Sequence, residues 1–370
     1  MRILVVCIPQ AGHLTPVLPL ASAFAEQGDE VVVASGPEVA DTVTAAGLRF
    51  AAAGSGPAQW FPALAQRIRG VPGDGLPAAR ILPYFIPRLF GEIAAADMID
   101  DVLDAARALD AHLIVYDSVA FAGPLAAAVL GMRAVRHETG AALARDVADL
   151  AADALSPLWR TFGLDVREAR DETTIAIWPS ILQPPDPGAL TMRPTPLPMA
   201  PTQPRQPPLI YLTLGTFSNT NLSVFRTVLD GLAGQPVELI VTVGLDNDPD
   251  TLRPWPANAC VERFIPQSEL LPRCSAVVSH GGSGTVLGVL AHGLPQLVLP
   301  QSADNFINAE LIERSGLGQR LLPDDVTAAA IARSVADMLA DPTPARRAAA
   351  EIAAMPAPCE VAQLLRERHS

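Results

Sequence analysis

The alternation of short apolar runs with helix-like stretches constrains the fold of this chain more than any other feature. Residues 3–8 and 31–34 are apolar runs typical of buried strands, and residues 16–27 and 37–46 predict helices that follow them. Strand–helix–strand order of this kind gives a parallel sheet with helices on both faces. The beginning of the chain is therefore predicted to be a doubly wound α/β domain.

The helix boundaries in this part are marked by residues suited to caps. Thr15 is placed to N-cap the first helix, with Pro16 at the first helical position. Gly28 and Gly47 suit the position just after each helix, where the left-handed backbone favours glycine.

Proline is dense between residues 183 and 208, where the chain can neither pair as a sheet nor coil as a helix. After it the pattern restarts, with predicted strands over 209–214, 237–242, 260–264, 276–279 and 296–299 and helices near 221–232, 305–314 and 359–368. We therefore predict two domains, residues 1–190 and 209–370, joined by a linker over 191–208. A crevice at the carboxyl ends of the strands is the expected ligand site, and a cleft between two such domains could bring two substrates together.

A segment rich in proline and aromatic residues interrupts the pattern between about residues 54 and 107. It contains Trp60, Phe61, Tyr84, Phe85, Phe90 and Met98. Long inserted loops with an apolar lining suit a hydrophobic small molecule. Helices packed on the edge of the sheet would give the same composition, and the sequence leaves both interpretations open.

A glycine-rich turn, His280-Gly-Gly-Ser-Gly-Thr285, lies between the apolar run 275–279 and a predicted helix over 286–292. Such a turn leaves unpaired backbone N–H groups beside the positive end of a helix dipole, which suits a phosphate. Gly281, Gly282 and Gly284 are expected to supply positive φ angles and close approach. The spacing fits neither the Walker loop nor the dinucleotide fingerprint, and glycines also occur merely to make a tight turn.

Composition and charge exclude several classes of partner. A net charge of −13 argues against nucleic acid, which needs clustered basic residues. Cys7, Cys260, Cys274 and Cys359 have neither metal-ligand spacing nor a disulfide framework, and we expect them to be reduced core residues. The chain shows no signal-peptide layout and no apolar stretch long enough to span a bilayer. We expect a soluble, cytoplasmic protein, either a monomer or a homodimer.

Several motifs in both halves, in the right order, resemble the UDP-glucuronosyltransferase-like glycosyltransferases of GT-B fold. They are Gly12-His13-Leu-Thr-Pro16, Phe264-Ile-Pro-Gln267, His280-Gly-Gly-Ser-Gly-Thr285, Gly293-Leu-Pro-Gln296, Pro300-Gln-Ser-Ala-Asp304 and Asn308-Ala-Glu310. Within this group the chain is most similar to the bacterial enzymes that glycosylate antibiotics. The resemblance implies two Rossmann-like domains facing an interdomain cleft, the first binding the acceptor and the second the nucleotide sugar, with a last helix that can cross back.

The resemblance also implies an inverting transfer of a sugar by direct displacement. His13 matches the family's general base, a role that suits an imidazole near neutral pH. Asp117, after a predicted strand over 113–116, is the best match to the carboxylate that orients this base. A histidine that caps the neighbouring helix and an aspartate that caps its own loop are the structural alternatives.

The departing diphosphate needs preorganised donors. His280 and the amides around Gly282, Ser283, Gly284 and Thr285 match the family's pyrophosphate site, with Gly215 and Thr216 opposite. No Asp-x-Asp metal motif of the kind used by metal-dependent glycosyltransferases is evident, so the resemblance implies a metal-independent hexosyltransferase without a cofactor.

Donor preference is read from departures from the family pattern. Plant and animal relatives hold both ribose hydroxyls with a Glu eight residues after the His, and this position is Gly288 here. A 2′-deoxyribose loses less binding energy than a ribose when this contact is absent, which favours dTDP-sugars over UDP-sugars. Phe264 replaces the family's base-stacking Trp, and the backbone of Ile265 is placed to read the pyrimidine, although Phe264 could equally be a core residue.

In the family, an Asp and the Gln that follows it bind the sugar hydroxyls. These positions are Asp304 and Asn305 here. Asn305 is one methylene shorter, which is consistent with a deoxygenated sugar. The leading hypothesis is a natural-product glycosyltransferase that moves a dTDP-deoxysugar to a hydroxyl of a hydrophobic acceptor in antibiotic biosynthesis. The alternatives are a UDP-sugar-dependent GT-B enzyme of another pathway and a noncatalytic, nucleotide-binding partner of a glycosyltransferase.

Overall fold

The computed structural model describes residues 1–69, 81–166, 173–194, 206–215, 219, 221–302 and 304–369. The chain forms two compact units. The first unit consists of Met1–Ile177, Pro185–Arg193 and Pro356–Ser370, and the second unit consists of Trp178–Pro184 and Pro194–Met355. Most of the predicted linker, residues 195–205, lies outside the described residues.

The first unit is built on a seven-stranded sheet with the order β3-β2-β1-β4-β5-β6-β7, and all of its described pairs are parallel. The strands are β1 (Arg2–Val6), β2 (Glu30–Ser35), β3 (Arg49–Ala52), β4 (Leu113–Asp117), β5 (Arg133–His137), β6 (Thr173–Ala176) and β7 (Leu190–Thr191). The helices are α1 (Ala11–Glu26), α2 (Ala40–Ala45), α3 (Pro57–Ile68), α4 (Leu82–Ile86), α5 (Ala95–Leu109), α6 (Ala122–Leu130) and α7 (Arg145–Thr161). The order of strands reverses between β1 and β4, which is where ligands bind in open α/β sheets.

The second unit repeats this design with six parallel strands in the order β10-β9-β8-β11-β12-β13. The strands are β8 (Leu209–Thr213), β9 (Glu238–Thr242), β10 (Ala259–Glu262), β11 (Ala276–Ser279), β12 (Gln296–Val298) and β13 (Gly318–Arg320). The helices are α8 (Leu222–Leu232), α9 (Gln267–Leu270), α10 (Ser283–Ala291), α11 (Asn305–Arg314), α12 (Ala328–Ala340) and α13 (Thr343–Ala354). Here the order of strands reverses between β8 and β11.

The last helix, α14 (Pro358–His369), belongs to the first unit and packs against α1. Val361 and Leu365 are fully buried. At the edge of this contact the Gln27 side chain donates to the Cys359 carbonyl at 2.7 Å, and Arg366 donates to the Gln27 carbonyl at 3.1 Å. Arg366 Nε also lies 3.5 Å from the buried carboxylate of Asp29.

The predicted start of the first helix is wrong. The helix begins at Ala11 with Gln10 at the N-cap, so Thr15 and Pro16 lie inside it. Pro16 lies beyond the first turn, so it removes the hydrogen bond that residue 16 would donate to the carbonyl of Gly12, and α1 contains it despite this loss. Gly28 and Gly47 follow the ends of α1 and α2 with φ angles of 86° and 76°, as predicted.

The described part of the aromatic segment is helical and does not form long loops. It forms α3, α4 and α5, with a π-helical segment over Pro87–Ala94. Trp60 and Met98 are buried in the core of the first unit, as the packing interpretation requires. Phe61, in contrast, is 37% exposed.

The prediction for the cysteines is half wrong. Cys7 and Cys274 are buried, whereas Cys260 and Cys359 are exposed, and all four are free thiols. Cys260 lies on β10, the edge strand of its sheet, and Cys359 lies in the first turn of α14. Neither position turns the side chain toward a core.

Candidate active site

The imidazole of His13 faces the carboxylate of Asp117, with 3.3 Å between Nδ1 and Oδ1. Asp117 is fully buried, and its carboxylate also accepts from the amides of Ile8 at 2.6 Å and Val119 at 2.9 Å. The His13 side chain keeps 20% of its surface exposed. A fully buried acceptor therefore fixes an imidazole that solvent and ligands can still reach.

The two residues meet because of the sheet topology. Asp117 ends β4, and the turn after the neighbouring strand β1 leads directly into α1. The sequence predicted His13 in the loop before α1, but His13 lies in the first turn of that helix. The N-cap of α1 is Gln10. Asp117 does cap its own loop through the Val119 amide, but with the same oxygen that faces His13.

The environment of Asp117 favours its charged form. Burial by itself raises the pKa of a carboxyl group. The His13 imidazole and the amides of Ile8 and Val119 outweigh burial, so the pKa of Asp117 lies below its ordinary value. Asp117 is therefore a permanent negative charge at the carboxyl edge of the sheet near neutral pH.

A row of aromatic rings leads away from His13. The ring centroids of His13 and Phe90 are 5.7 Å apart, those of Phe90 and Phe85 are 6.0 Å apart, and those of Phe85 and Phe61 are 6.2 Å apart. Phe90 is 7% exposed and Phe61 is 37% exposed. This aromatic row, Phe90-Phe85-Phe61, connects the imidazole with the surface of the first unit.

Two titratable residues at the end of β5 were missed by the sequence analysis. His137 is the register partner of Asp117 and is fully buried, and Glu138 follows it with 4% exposure. Burial lowers the pKa of His137 to about 4 and raises the pKa of Glu138 to about 7. The stretch Arg133–His137 has only two apolar residues and gives a weak strand signal, but recognising β5 would have brought these residues to the same edge as Asp117.

The glycine-rich turn of the second unit packs around the His280 ring. An added Cβ at Gly215 would lie 2.4 Å from Cε1 of His280, and one at Gly282 would lie 2.5 Å from Nε2. The ring is therefore held between two glycines, one after β8 and one after β11. Burial lowers the pKa of His280 to about 4, so the imidazole is neutral at pH 7. Thr216, the other predicted residue after β8, lies outside the described residues.

The glycines of this turn do different things. Gly281 has the positive φ angle that was predicted for all three, 87°, but Gly282 is extended with φ of −62° and is the N-cap of α10. Gly284 lies in the first turn of α10, and an added Cβ there would meet no atom within 4 Å. The prediction of positive φ angles at Gly282 and Gly284 is therefore wrong, and the backbone does not require glycine at residue 284.

The side chain of Asp304 is tied to the start of α10. Its Oδ2 accepts from the Ser283 hydroxyl at 3.1 Å and from the Asn308 amide at 3.2 Å. Asn308 also donates to the Gly281 carbonyl at 2.8 Å. Asn308 thus links the glycine-rich turn with α11, a structural role that the sequence analysis did not assign.

Asn305 points into the protein. It is 5% exposed, its Oδ1 accepts from the Ser302 amide at 3.3 Å, and its Nδ2 lies 3.4 Å from Asp304 Oδ1. The structure therefore brings Asp304 to the start of α10 with Ser283, whereas the Asn305 amide is engaged within its own loop.

The remaining predicted donor residues lie around α9 and α10. Phe264 is 57% exposed, so it is not a core residue, and Ile265 is partly buried against Leu270 and Leu271. The Gln267 amide donates to the Thr285 hydroxyl at 3.2 Å, and its Oε1 lies 3.8 Å from where a Cβ of Gly288 would be. Gln267 therefore lies over the first turns of α10.

Comparison with known proteins places these two sites in context. Residues 226–368 match the family model described as erythromycin biosynthesis protein CIII-like, C-terminal domain. The chain is 32% identical to the L-demethylnoviosyl transferase of Streptomyces niveus, over 98% of this chain and 97% of the relative. This chain belongs to the bacterial natural-product glycosyltransferases. It is also 32% identical to the elloramycin glycosyltransferase ElmGT of Streptomyces olivaceus, over 99% and 97% of the two chains.

The fold of this glycosyltransferase agrees with a solved structure. The Streptomyces sp. SF2575 glycosyltransferase SsfS6, complexed with thymidine diphosphate, matches with a TM-score of 0.81 and 27% identity over 99% of both chains. The predicted GT-B fold with two parallel-sheet α/β domains is confirmed, and so is the family resemblance.

Among the described residues of this glycosyltransferase, no helix is long and apolar enough to cross a membrane. Within the same residues, no three His, Cys, Asp or Glu side chains are grouped as ligands for a metal ion. The absence of a metal or cofactor from the reaction stays a prediction, as do the roles of the individual site residues.

Proposed function

We propose that this glycosyltransferase moves a deoxysugar from a dTDP-sugar to a hydroxyl group of a hydrophobic natural-product acceptor, with inversion at the sugar carbon and without a metal ion. The observation that carries the proposal is the pairing of His13 with the buried, charged Asp117. This pair is suited to removing a proton from an alcohol as the alcohol attacks.

In the proposed reaction the acceptor oxygen forms a bond to the anomeric carbon while the bond from that carbon to the diphosphate breaks. His13 takes the hydroxyl proton through Nε2, because Nδ1 is turned to Asp117. The charge of Asp117 then stabilises the imidazolium. Single displacement from the opposite face inverts the configuration of the anomeric carbon.

The leaving diphosphate is proposed to bind at the start of α10. The first amides of a helix have no partner within it and carry the positive end of the dipole. The open space beside Gly284 lets a phosphate approach these amides closely. His280 is neutral and therefore contributes a hydrogen bond instead of a charge. Binding through amides supports a reaction that needs no metal ion.

A thymidine nucleotide is favoured by the ribose side of α10. Gly288 offers no carboxylate, and the nearby Gln267 carboxamide has one acceptor oxygen for ribose hydroxyls where a carboxylate has two. Thymidine diphosphate is the nucleotide bound in the SsfS6 structure. The local hydrogen bonds of Asn305 support a sugar contact through Asp304 alone, which suits a deoxysugar.

The aromatic row supports a hydrophobic acceptor. Its rings begin at His13 and reach a surface-exposed phenylalanine, so an apolar acceptor that packs on them would hold a hydroxyl group near the imidazole. Aromatic contacts of this kind contribute roughly 0.5–1.5 kcal/mol beyond area burial.

The proposal is tested with the purified enzyme, a panel of polyketide and aromatic acceptors, and dTDP-deoxysugars in parallel with UDP-glucose. Mass spectrometry detects the product, and the NMR coupling of the anomeric proton reports its configuration. We expect transfer from dTDP-deoxysugars with inversion. Preference for UDP-glucose would overturn the donor assignment, and retention would overturn the displacement.

His13→Ala tests the base in the same assay. We expect kcat to fall by about 10²–10⁴-fold, with the affinity for dTDP unchanged in calorimetry. His112→Ala is the matched control, because His112 is an exposed histidine of the same unit. Near-normal turnover by His13→Ala would refute the role of His13.

A further inference from the structure

A second carboxyl group lies at the sheet edge that carries the His13–Asp117 dyad, and it has no part in the reaction proposed above. Glu138 follows β5, the strand that pairs with β4 and places His137 opposite Asp117. Adjacent strands are about 4.8 Å apart, which is well inside the Debye length of roughly 10 Å at an ionic strength of about 0.1 M. Two acidic side chains, Asp117 and Glu138, are therefore buried at one edge of the sheet.

The surroundings of Glu138 hold its side chain in place but provide hydrogen-bond or ion-pair partners for only part of the carboxyl group. Its Oε1 lies 3.1 Å from Nε of Arg136, and its Oε2 is buried without a hydrogen-bond partner among the described residues. Arg136 is itself tied to β6, since it donates to the Thr174 hydroxyl at 3.3 Å. The hydroxyls of Ser118 and Thr139, 3.3 Å apart, bridge the ends of β4 and β5 in the same place.

The charged groups that act on Glu138 come from each neighbouring element. Burial is the largest influence, and it raises the pKa of Glu138. The charges of Asp186 and Asp117 raise this pKa as well, whereas Arg136 and the hydrogen bond with Ser118 lower it. The resulting pKa is about 7. His137 is adjacent on β5 and neutral, because burial lowers its pKa. Of the two carboxyls at this edge, Asp117 is charged near neutral pH whereas Glu138 titrates near neutral pH, a separation of pKa values typical of acid–base sites.

We propose that Glu138 is a positioning residue of the transfer reaction, whose ionisation is coupled through Asp117 to the proton on His13. When His13 is neutral, the protonated form of Glu138 is favoured. When His13 takes the acceptor proton, the positive imidazolium favours release of the Glu138 proton to solvent, and the resulting negative charge in turn stabilises the imidazolium. Conversely, removal of the Glu138 carboxyl weakens the hold of His13 on its proton. The mechanistic part of this inference rests on the proposed function, whereas the coupling itself does not.

The coupling is measured without substrate, by NMR titration of histidine-labelled protein. The His13 signal is assigned from its loss in His13→Ala. We expect Glu138→Gln, which preserves shape and removes the charge, to move the midpoint of the His13 titration down by about half a pH unit. The acidic limb of the profile of kcat/KM against pH should move with it. Asp104→Asn is the matched control, since it removes an equal charge from an exposed position on α5.

Superimposable His13 titrations in wild type and Glu138→Gln would overturn the coupling, and an equal shift in Asp104→Asn would reduce it to a general charge effect and overturn it as well. If Glu138→Gln fails to fold, Ser118→Ala decides, because loss of the Ser118 hydrogen bond keeps Glu138 protonated to higher pH. A smaller shift in the same direction is then expected, and no shift would overturn the proposal. Full turnover by His13→Ala together with an intact NMR shift would refute the proposed base but leave the coupling in place.

Discussion

Gly284 is a glycine with no conformational reason to be one. It is exposed in the first turn of α10, its φ angle is not positive, and a Cβ there would meet no protein atom within 4 Å. Glycine in a helix is less favourable than alanine by roughly 0.5–1 kcal/mol. A position that loses stability without relieving any contact in the protein suggests that the space is needed by a ligand.

Gly284→Ala separates these two roles. We expect the free energy of unfolding to stay equal or rise, because alanine favours the helix, while the affinity for dTDP falls about tenfold or more, because the methyl group occupies the space of a phosphate. Calorimetry with dTDP and thermal unfolding check the two parts. The control is Gly12→Ala in the first turn of α1, where a Cβ also meets nothing within 4 Å and where dTDP affinity should not change. Unchanged affinity in Gly284→Ala would place the diphosphate elsewhere.

At the scale of elements, one side chain fastens the start of α3 to α5. Oδ2 of Asp97 accepts from the Ser55 amide at 2.5 Å, from the Ser55 hydroxyl at 2.8 Å and from the Trp60 indole at 2.8 Å. Burial raises the pKa of Asp97, but these three donors outweigh it and the pKa is lowered. Because α3 carries Phe61, this fastening also positions the outer end of the aromatic row.

Asp97→Ala should therefore loosen α3 while the sheet stays intact. We expect a loss of about 1 kcal/mol, because the carboxylate is exposed and solvent replaces part of its hydrogen bonding. Hydrogen exchange of peptides covering residues 54–69 should become faster. Asp100→Ala, an exposed aspartate on the same helix, is the control. Equal exchange in both variants would show that Asp97 does not hold α3.

Sequence patterns predicted most elements, and the failures have identifiable causes. Strand β11 and helix α11 have the predicted bounds, 276–279 and 305–314, since one is a continuous apolar run and the other ends before Gly316. The start of α1 was missed because Pro16 resembles a first helical residue, whereas in this chain it lies inside the helix at the loss of one hydrogen bond. The short strand β5, with the arginines 133 and 136 in it, was not recognised, and the acidic residue after it was overlooked for that reason.

The dyad could be predicted from the sequence because the family motif marks His13 and because Asp117 ends an apolar strand. Contacts that depend on helix packing, and that no family motif marks, could not be predicted from the sequence. The contact of Gln267 with Thr285 and that of Asn308 with the Gly281 carbonyl depend on how α9 and α11 pack beside α10. No local pattern encodes those distances.

At the scale of the whole molecule, stability should depend on pH through opposed contributions. His137 and His280 have folded pKa values of about 4 and ordinary values of 6.5, so the unfolded chain binds more protons between these limits and stability falls as pH falls through them. Glu138 has a folded pKa of about 7 against 4.5, so the folded state binds more protons there and stability rises as pH falls.

Glu138→Gln removes the opposing contribution. We therefore expect the first unit of the variant to lose about 1–2 kcal/mol more than wild type between pH 7 and pH 5. Pulsed hydrogen exchange of peptides from β4 and β5 across a urea series measures this for the first unit separately. An equal loss in the two proteins would contradict the burial-raised pKa of Glu138.

The packing of α14 on α1 makes the end of the chain part of the unit that carries His13. Leu365→Ala removes a fully buried side chain from this contact and should cost about 2–5 kcal/mol. Hydrogen exchange should increase in α1 and the first-unit sheet and stay unchanged in peptides of the second unit. Leu364→Ala, 40% exposed on the same helix, should cost less than about 0.5 kcal/mol. Equal effects of the two substitutions would contradict the packing.

The composition of the first unit from three separate stretches of chain has a consequence for engineering. A hybrid enzyme that exchanges whole halves between two relatives needs a single crossover if the joint is placed in the proline-rich segment. In this protein such a hybrid would pair an α1 from one parent with an α14 from the other. A recombination that keeps residues 1–177, 185–193 and 356–370 from the same parent preserves this helix pair. Hybrids with matched helices should express in folded form where single-crossover hybrids precipitate.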